Sequence, residues 1–114
     1  MILVLAVLNA LLLVTGQIFW KLGLNRAGEF SWTNVWPVFS SPAVLAGIGI
    51  YVLSLFLWFY LLSRASLSFI YPVQSLAYVF GVLAGLFLFG ETVPPVRWAG
   101  VLLIVVGVYL VVRG

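Results

Sequence analysis

The sequence predicts an all-α integral membrane protein with four transmembrane helices. Composition is the first ground: 66% of the residues are hydrophobic and 6% are charged, whereas a soluble domain carries about 25% charged residues. Run length is the second. Four apolar stretches approach the roughly 20 residues that cross a hydrocarbon core at 1.5 Å per residue. The third is punctuation, because short breaks with glycine, proline or charged residues separate these stretches.

The first span runs from Ile2 to Leu24. No basic residue precedes the apolar run MILVLAVLNALLLV, so it reads as a retained helix and not as a cleaved signal. The following connection, NRAGEFSWTNVWPVFSSP, contains Phe30, Trp32, Trp36 and Phe39, aromatic residues suited to the membrane interface. It is expected to lie along the bilayer surface, with room for a short helical turn. The second span, Ala43 to Leu62, and the third, Leu67 to Phe89, are joined through RASLS. So tight a connection makes them antiparallel neighbours. Pro72 inside the third span frees a backbone carbonyl and predicts a bend near Tyr71 and Gln74. In GETVPP, Gly90 can end the third span and Pro95 suits the first turn of the fourth, Val96 to Val112. Glu91, just ahead of that helix, reads as a structural capping anion favoured by the helix dipole. The four spans make one domain over residues 1–114.

Several function classes drop out. The chain has no cysteine and no histidine, which removes disulfides, thiolate nucleophiles and the commonest general base and metal ligand. Its two carboxylates, Glu29 and Glu91, both fall in connections. Enzymatic hydrolysis or redox chemistry, a cofactor and a metal site are therefore not expected. The net charge of +3 comes from five scattered basic residues that form no stripe along which a nucleic acid could lie.

An even number of spans puts both termini on one side of the membrane. Arg64 and Arg113 flank that side, and Lys21, Arg26 and Arg97 flank the other. Charge therefore sets orientation weakly, and if Lys21 lies within the membrane the two sides balance. A weak bias permits two inverted copies of one chain, or a partner that decides the orientation. Four helices enclose little interior, so a dimer is the expected unit. Gly100 and Gly107, seven residues apart among aliphatic side chains, mark the fourth span as its seam.

The remaining spans carry polar stripes. At 100° per residue, Asn9, Gly16, Gln17 and Lys21 share an arc of about 140° on the first span. Gly47, Tyr51, Ser54 and Trp58 repeat the pattern on the second, and Ser68, Tyr71, Ser75 and Tyr78 on the third. Hydrogen bonds between helices explain any one such residue. Three coincident stripes point instead to a shared polar groove for a substrate head group. Lys21 either snorkels to the interface or faces that groove. With Arg97 on the same membrane side, it could hold a phosphate, Lys as a point charge and Arg as a bidentate fork.

GQIFWK at residues 16–21, YPVQSL at 71–76 and ETVPPVRWAGVLLIVVG at 91–107 resemble the four-helix members of the drug/metabolite transporter superfamily. More narrowly they resemble the small ArnE-type subunits of the flippase for 4-amino-4-deoxy-L-arabinose-phosphoundecaprenol. The resemblance runs almost end to end. It extends to the small multidrug resistance transporters, whose exchange mechanism depends on a glutamate within the first helix. Registering on Gly16 and Lys21 puts Leu13 at that position, which argues against drug and proton antiport.

The resemblance implies a flippase subunit of the bacterial inner membrane, moving a polyprenyl-phosphate-linked sugar or related anionic lipid while its tail stays in the bilayer. The phosphate would approach Lys21 and Arg97. Gln17, Tyr51, Ser54, Trp58, Tyr71, Ser75 and Tyr78 would meet the rest of the head group, in a homodimer or a heterodimer with a related four-helix chain. Two alternatives stand beside it: a small-molecule or cation transporter, and a non-transporting accessory subunit of a membrane glycosyltransferase.

Overall fold

The computed structural model describes residues 1–27, 32, 33 and 35–114. Glu29 and Phe30, one a carboxylate of the long connection and the other an expected interface aromatic, lie outside the described residues. Six helices follow in order: α1 (Ile2–Ala27), α2 (Val35–Phe39), α3 (Pro42–Arg64), α4 (Leu67–Gln74), α5 (Leu76–Leu88) and α6 (Pro95–Arg113). Among the described residues there is no strand. Four spans are long and apolar enough to cross a membrane: α1, α3, α4 with α5, and α6. The all-α, four-span membrane architecture expected from composition and run length is the one observed.

The ends of the helices differ from the apolar runs for a physical reason. Hydropathy marks where lipid contact stops, but the hydrogen-bond ladder continues until a residue leaves helical geometry. Thus α1 extends past Leu24 through Asn25 and Arg26 to Ala27. Pro42 and Pro95 open α3 and α6 at their first positions, where a missing N–H costs nothing. The backbone turns extended at Ala65, whose N–H still reaches the Leu61 carbonyl at 3.0 Å. The Ser66 carbonyl then receives the first N–H groups of the next helix, from Phe69 and Ile70 at 3.1 Å each.

The third span is two segments instead of one continuous helix. Proline at 72 has no N–H for the Ser68 carbonyl, which weakens the ladder there. The interruption itself falls three residues later. The N–H of Ser75 bonds the Pro72 carbonyl at 3.0 Å, a tighter step than the α-helical one, and the Ser75 hydroxyl donates to the same oxygen.

Close packing concentrates between α1 and α3. Glycine permits it: a Cβ built on Gly47 would lie 2.6 Å from the Gly16 carbonyl oxygen and 2.5 Å from the Trp20 ring. Trp20 closes the contact by donating Nε1–H to the Val44 carbonyl (3.2 Å) and stacking at 5.2 Å on Tyr51. A small core of Ala6, Leu61, Ile70, Val73 and Val108 seals the end of the bundle near the N-terminus of α1. Helix α6 lies alongside α4 and α5 alone, and 6% of its apolar window is buried against 28% of that of α1. Its outer face meets nothing within the chain: a Cβ at Gly100 or Gly107 would have no neighbour within 4 Å.

Candidate functional site

A cleft of about 370 Å³ lies between α1 and the α4–α5 span. Helix α1 supplies Leu13, Val14, Gln17, Ile18 and Lys21, one face at steps of three and four. Tyr51 enters from α3. The broken third span gives Tyr71 and Gln74 before the interruption, Ser75 at it, and Ala77, Tyr78, Gly81, Ala84 and Gly85 after it. Phe89 and Glu91 complete the mouth. Pockets that bury small ligands fall in the range of about 300–1,000 Å³, so the space suits a head group and not a long hydrocarbon chain.

Six of the expected site residues meet here: Gln17, Lys21, Tyr51, Tyr71, Ser75 and Tyr78. Three do not line the cleft. Ser54 is buried and donates its hydroxyl to the Tyr51 carbonyl at 2.7 Å. Trp58 stands edge-on to Tyr71, with ring centroids 6.0 Å apart and planes at 70°, so it props a lining ring from behind. Arg97 is exposed on the first turn of α6, and its backbone N–H bonds the Pro94 carbonyl at 2.9 Å. The period of a stripe predicts a common face, but the neighbour of that face is set by how the helices cross.

Glu91 takes a different place from the one expected. Pro94 occupies the N-cap of α6, and no side-chain hydrogen bond caps that helix. The chain instead reverses at Gly90, whose φ of 64° lies in the left-handed region that glycine enters without steric cost. The Glu91 N–H returns to the Gly85 carbonyl at 3.0 Å, and its carboxylate lies over the bare α-carbon of Gly85, where a side chain would strike it. From there it reaches Lys21, with 3.8 Å between Oε2 and Nζ and both side chains about half exposed. An exposed pair of this kind contributes only about 0–1 kcal/mol in water. Its interest is positional: it brings both signs of charge to the mouth of an otherwise uncharged cleft.

Gln74, named only as a neighbour of the bend, is a lining residue whose Oε1 is buried without a hydrogen-bond partner. Its spacing of three from Tyr71 and four from Tyr78 was the available signal. Gly85 carried none, because its role depends on the return of Glu91 from beyond the helix end.

Four apolar spans make this a multi-pass membrane protein, with a cleft between its helices lined in part by polar side chains. Residues 1–113 match the EamA-like transporter family. The chain belongs to that family. It is 34% identical over 108 residues to a probable 4-amino-4-deoxy-L-arabinose-phosphoundecaprenol flippase subunit ArnE of Pseudomonas fluorescens, covering 93% of this chain and 92% of that one. Probable ArnF subunits of the same flippase are also similar. That of Photorhabdus laumondii is 41% identical over 76 residues, 65% of this chain and 60% of its own. That of Proteus mirabilis is 29% identical over 119 residues, 93% of this chain and 87% of its own. The ArnE-type resemblance thus has its counterpart among ArnE and ArnF subunits. No solved structure matches the chain.

Proposed function

We propose that the chain is a subunit of a lipid flippase that moves a polyprenyl-phosphate-linked sugar, or a closely related head group, across the bacterial inner membrane. The observation that carries this reading is a cleft of head-group size between the spans, with Lys21 and Glu91 at its mouth and the hydrogen-bonding side chains of Gln17, Tyr51, Tyr71, Ser75 and Tyr78 along its wall. The names of the similar ArnE and ArnF chains, subunits of a 4-amino-4-deoxy-L-arabinose-phosphoundecaprenol flippase, support the substrate class.

In this mechanism the phosphate moves toward Lys21, and Arg97 on the same membrane side adds longer-range attraction. The sugar exchanges water for Gln17, Tyr51, Tyr71, Ser75 and Tyr78, while the prenyl chain never leaves lipid. Supplying hydrogen bonds along the route lowers the cost of carrying polar groups through hydrocarbon. Ser54 and Trp58 act from behind by holding Tyr51 and Tyr71. The open face of α6 receives a second four-helix chain, either another copy or a relative, through Gly100 and Gly107.

Leu13 on the cleft wall, where a small multidrug resistance transporter would carry its glutamate, disfavours the cation-exchange alternative. An accessory subunit without transport would tolerate loss of the cleft residues. Reconstitution with a labelled polyprenyl-phosphate sugar tests all three readings: head-group accessibility should change leaflet with the parent and not with a cleft-blocked Gly81→Trp variant. Equal rates with and without protein would overturn the flippase reading.

A further inference from the structure

Lys21 and Glu91 are too far apart, at 3.8 Å, for a hydrogen bond. Neither side chain makes one elsewhere among the described residues. Three ammonium donors and the carboxylate lone pairs therefore face the cleft with capacity unused. The carboxylate is nevertheless held by construction: the left-handed turn at Gly90, the N–H bond to Gly85 and the space over the Gly85 α-carbon set its position.

A snorkelling lysine needs no such partner. A site for a simple anion is impaired by it, because an incoming phosphate both competes with Glu91 for Lys21 and is repelled by the carboxylate left behind. The conflict disappears if the ligand brings its own cation.

We propose that Lys21 and Glu91 form a charge-exchange site for a zwitterionic head group, in which an anionic phosphate takes Lys21 and a protonated amine on the sugar takes Glu91. The assignment rests on the flippase reading of the same cleft and deepens it. Entry of the ligand replaces one loose ion pair with two hydrogen-bonded ones, so no charge is left unpaired at the mouth. Glu91 is then the residue that selects an amino sugar over its hydroxyl counterpart.

The test uses two short-chain polyprenyl-phosphate sugars that differ only in carrying an amino or a hydroxyl group, with binding to the full chain measured in lipid nanodiscs. The parent should bind the amino lipid about tenfold more tightly or better, the range of one charge-assisted hydrogen bond. Glu91→Gln should weaken the amino lipid and tighten the hydroxyl lipid, since competition for Lys21 is gone. Gly85→Ala, which keeps the carboxylate but evicts it from its seat, should also reduce the preference, and it serves if the first variant fails to insert. A preference retained in Glu91→Gln, or equal binding of the two lipids by the parent, overturns the charge-exchange site and leaves the flippase reading intact. Binding of neither lipid by the parent overturns both.

Discussion

Gly16 and Gly47 meet backbone to backbone, so close that a Cβ on Gly47 would sit 2.6 Å from the Gly16 carbonyl oxygen. In a bilayer, where lipid is as apolar as leucine, such approach of small residues is a principal source of helix association. Here it fixes α1 against α3 and so positions Gln17 and Tyr51 on either side of the contact.

Gly47→Val should destabilise the chain by about 1–3 kcal/mol, the usual cost of overpacking. Thermal unfolding followed by detergent size-exclusion would register it as a lower midpoint. Gly49→Ala is the control, because nothing lies within 4 Å of that position. It should match or slightly exceed the parent, since alanine is the better helix former by about 1 kcal/mol.

Replacing Lys21 by methionine keeps much of the stem and removes the charge. Translocation of the labelled lipid should be lost while expression stays near the parent level. Lys21→Arg should retain part of the activity, because the charge survives with altered geometry. Gln17→Leu should weaken head-group recognition and spare phosphate attraction. Full transport by Lys21→Met would mean that the ammonium only snorkels.

Helix α6 yields a prediction about assembly. Its glycines face open space in the single chain, so Gly107→Leu should leave the monomer folded and weaken its association by forcing backbones apart. Cross-linking and sedimentation in mild detergent would show the shift, and unchanged association would remove this face as the seam.

Orientation can be read with reporters fused to the C-terminus. Two basic residues on one side against three on the other should give mixed orientation if inverted copies pair. A uniformly cytoplasmic C-terminus would favour a parallel pair or a partner chain that inserts the other way.

The membrane spans were legible because about 20 consecutive apolar residues have few other uses. Within them, legibility fell wherever the outcome depended on a contact between distant segments. Pro72 announced a bend, but the interruption at Ser75 also required the serine hydroxyl to compete for the Pro72 carbonyl. The stripe through Tyr51, Ser54 and Trp58 was visible as a face, although the helix crossing leaves only Tyr51 in the cleft. Glu91 looked like a cap because it precedes α6 in sequence, and its return to Gly85 depends on the left-handed turn between them. Among the glycines, those on α6 drew notice by their regular spacing, whereas Gly16 and Gly47 form the tight contact within the chain.

No residue of α6 lines the cleft. With α6 as the proposed seam and the cleft as the proposed binding site, recognition within the cleft and assembly fall to separate stretches of the same short polypeptide, and substitutions in one are largely free of consequences for the other. A lineage can exchange its oligomeric partner by altering the α6 face around Gly100 and Gly107 while its ligand preference persists, or retune that preference without losing its partner. Such independence offers a physical route by which duplicated copies of one gene become two non-identical halves of a single machine.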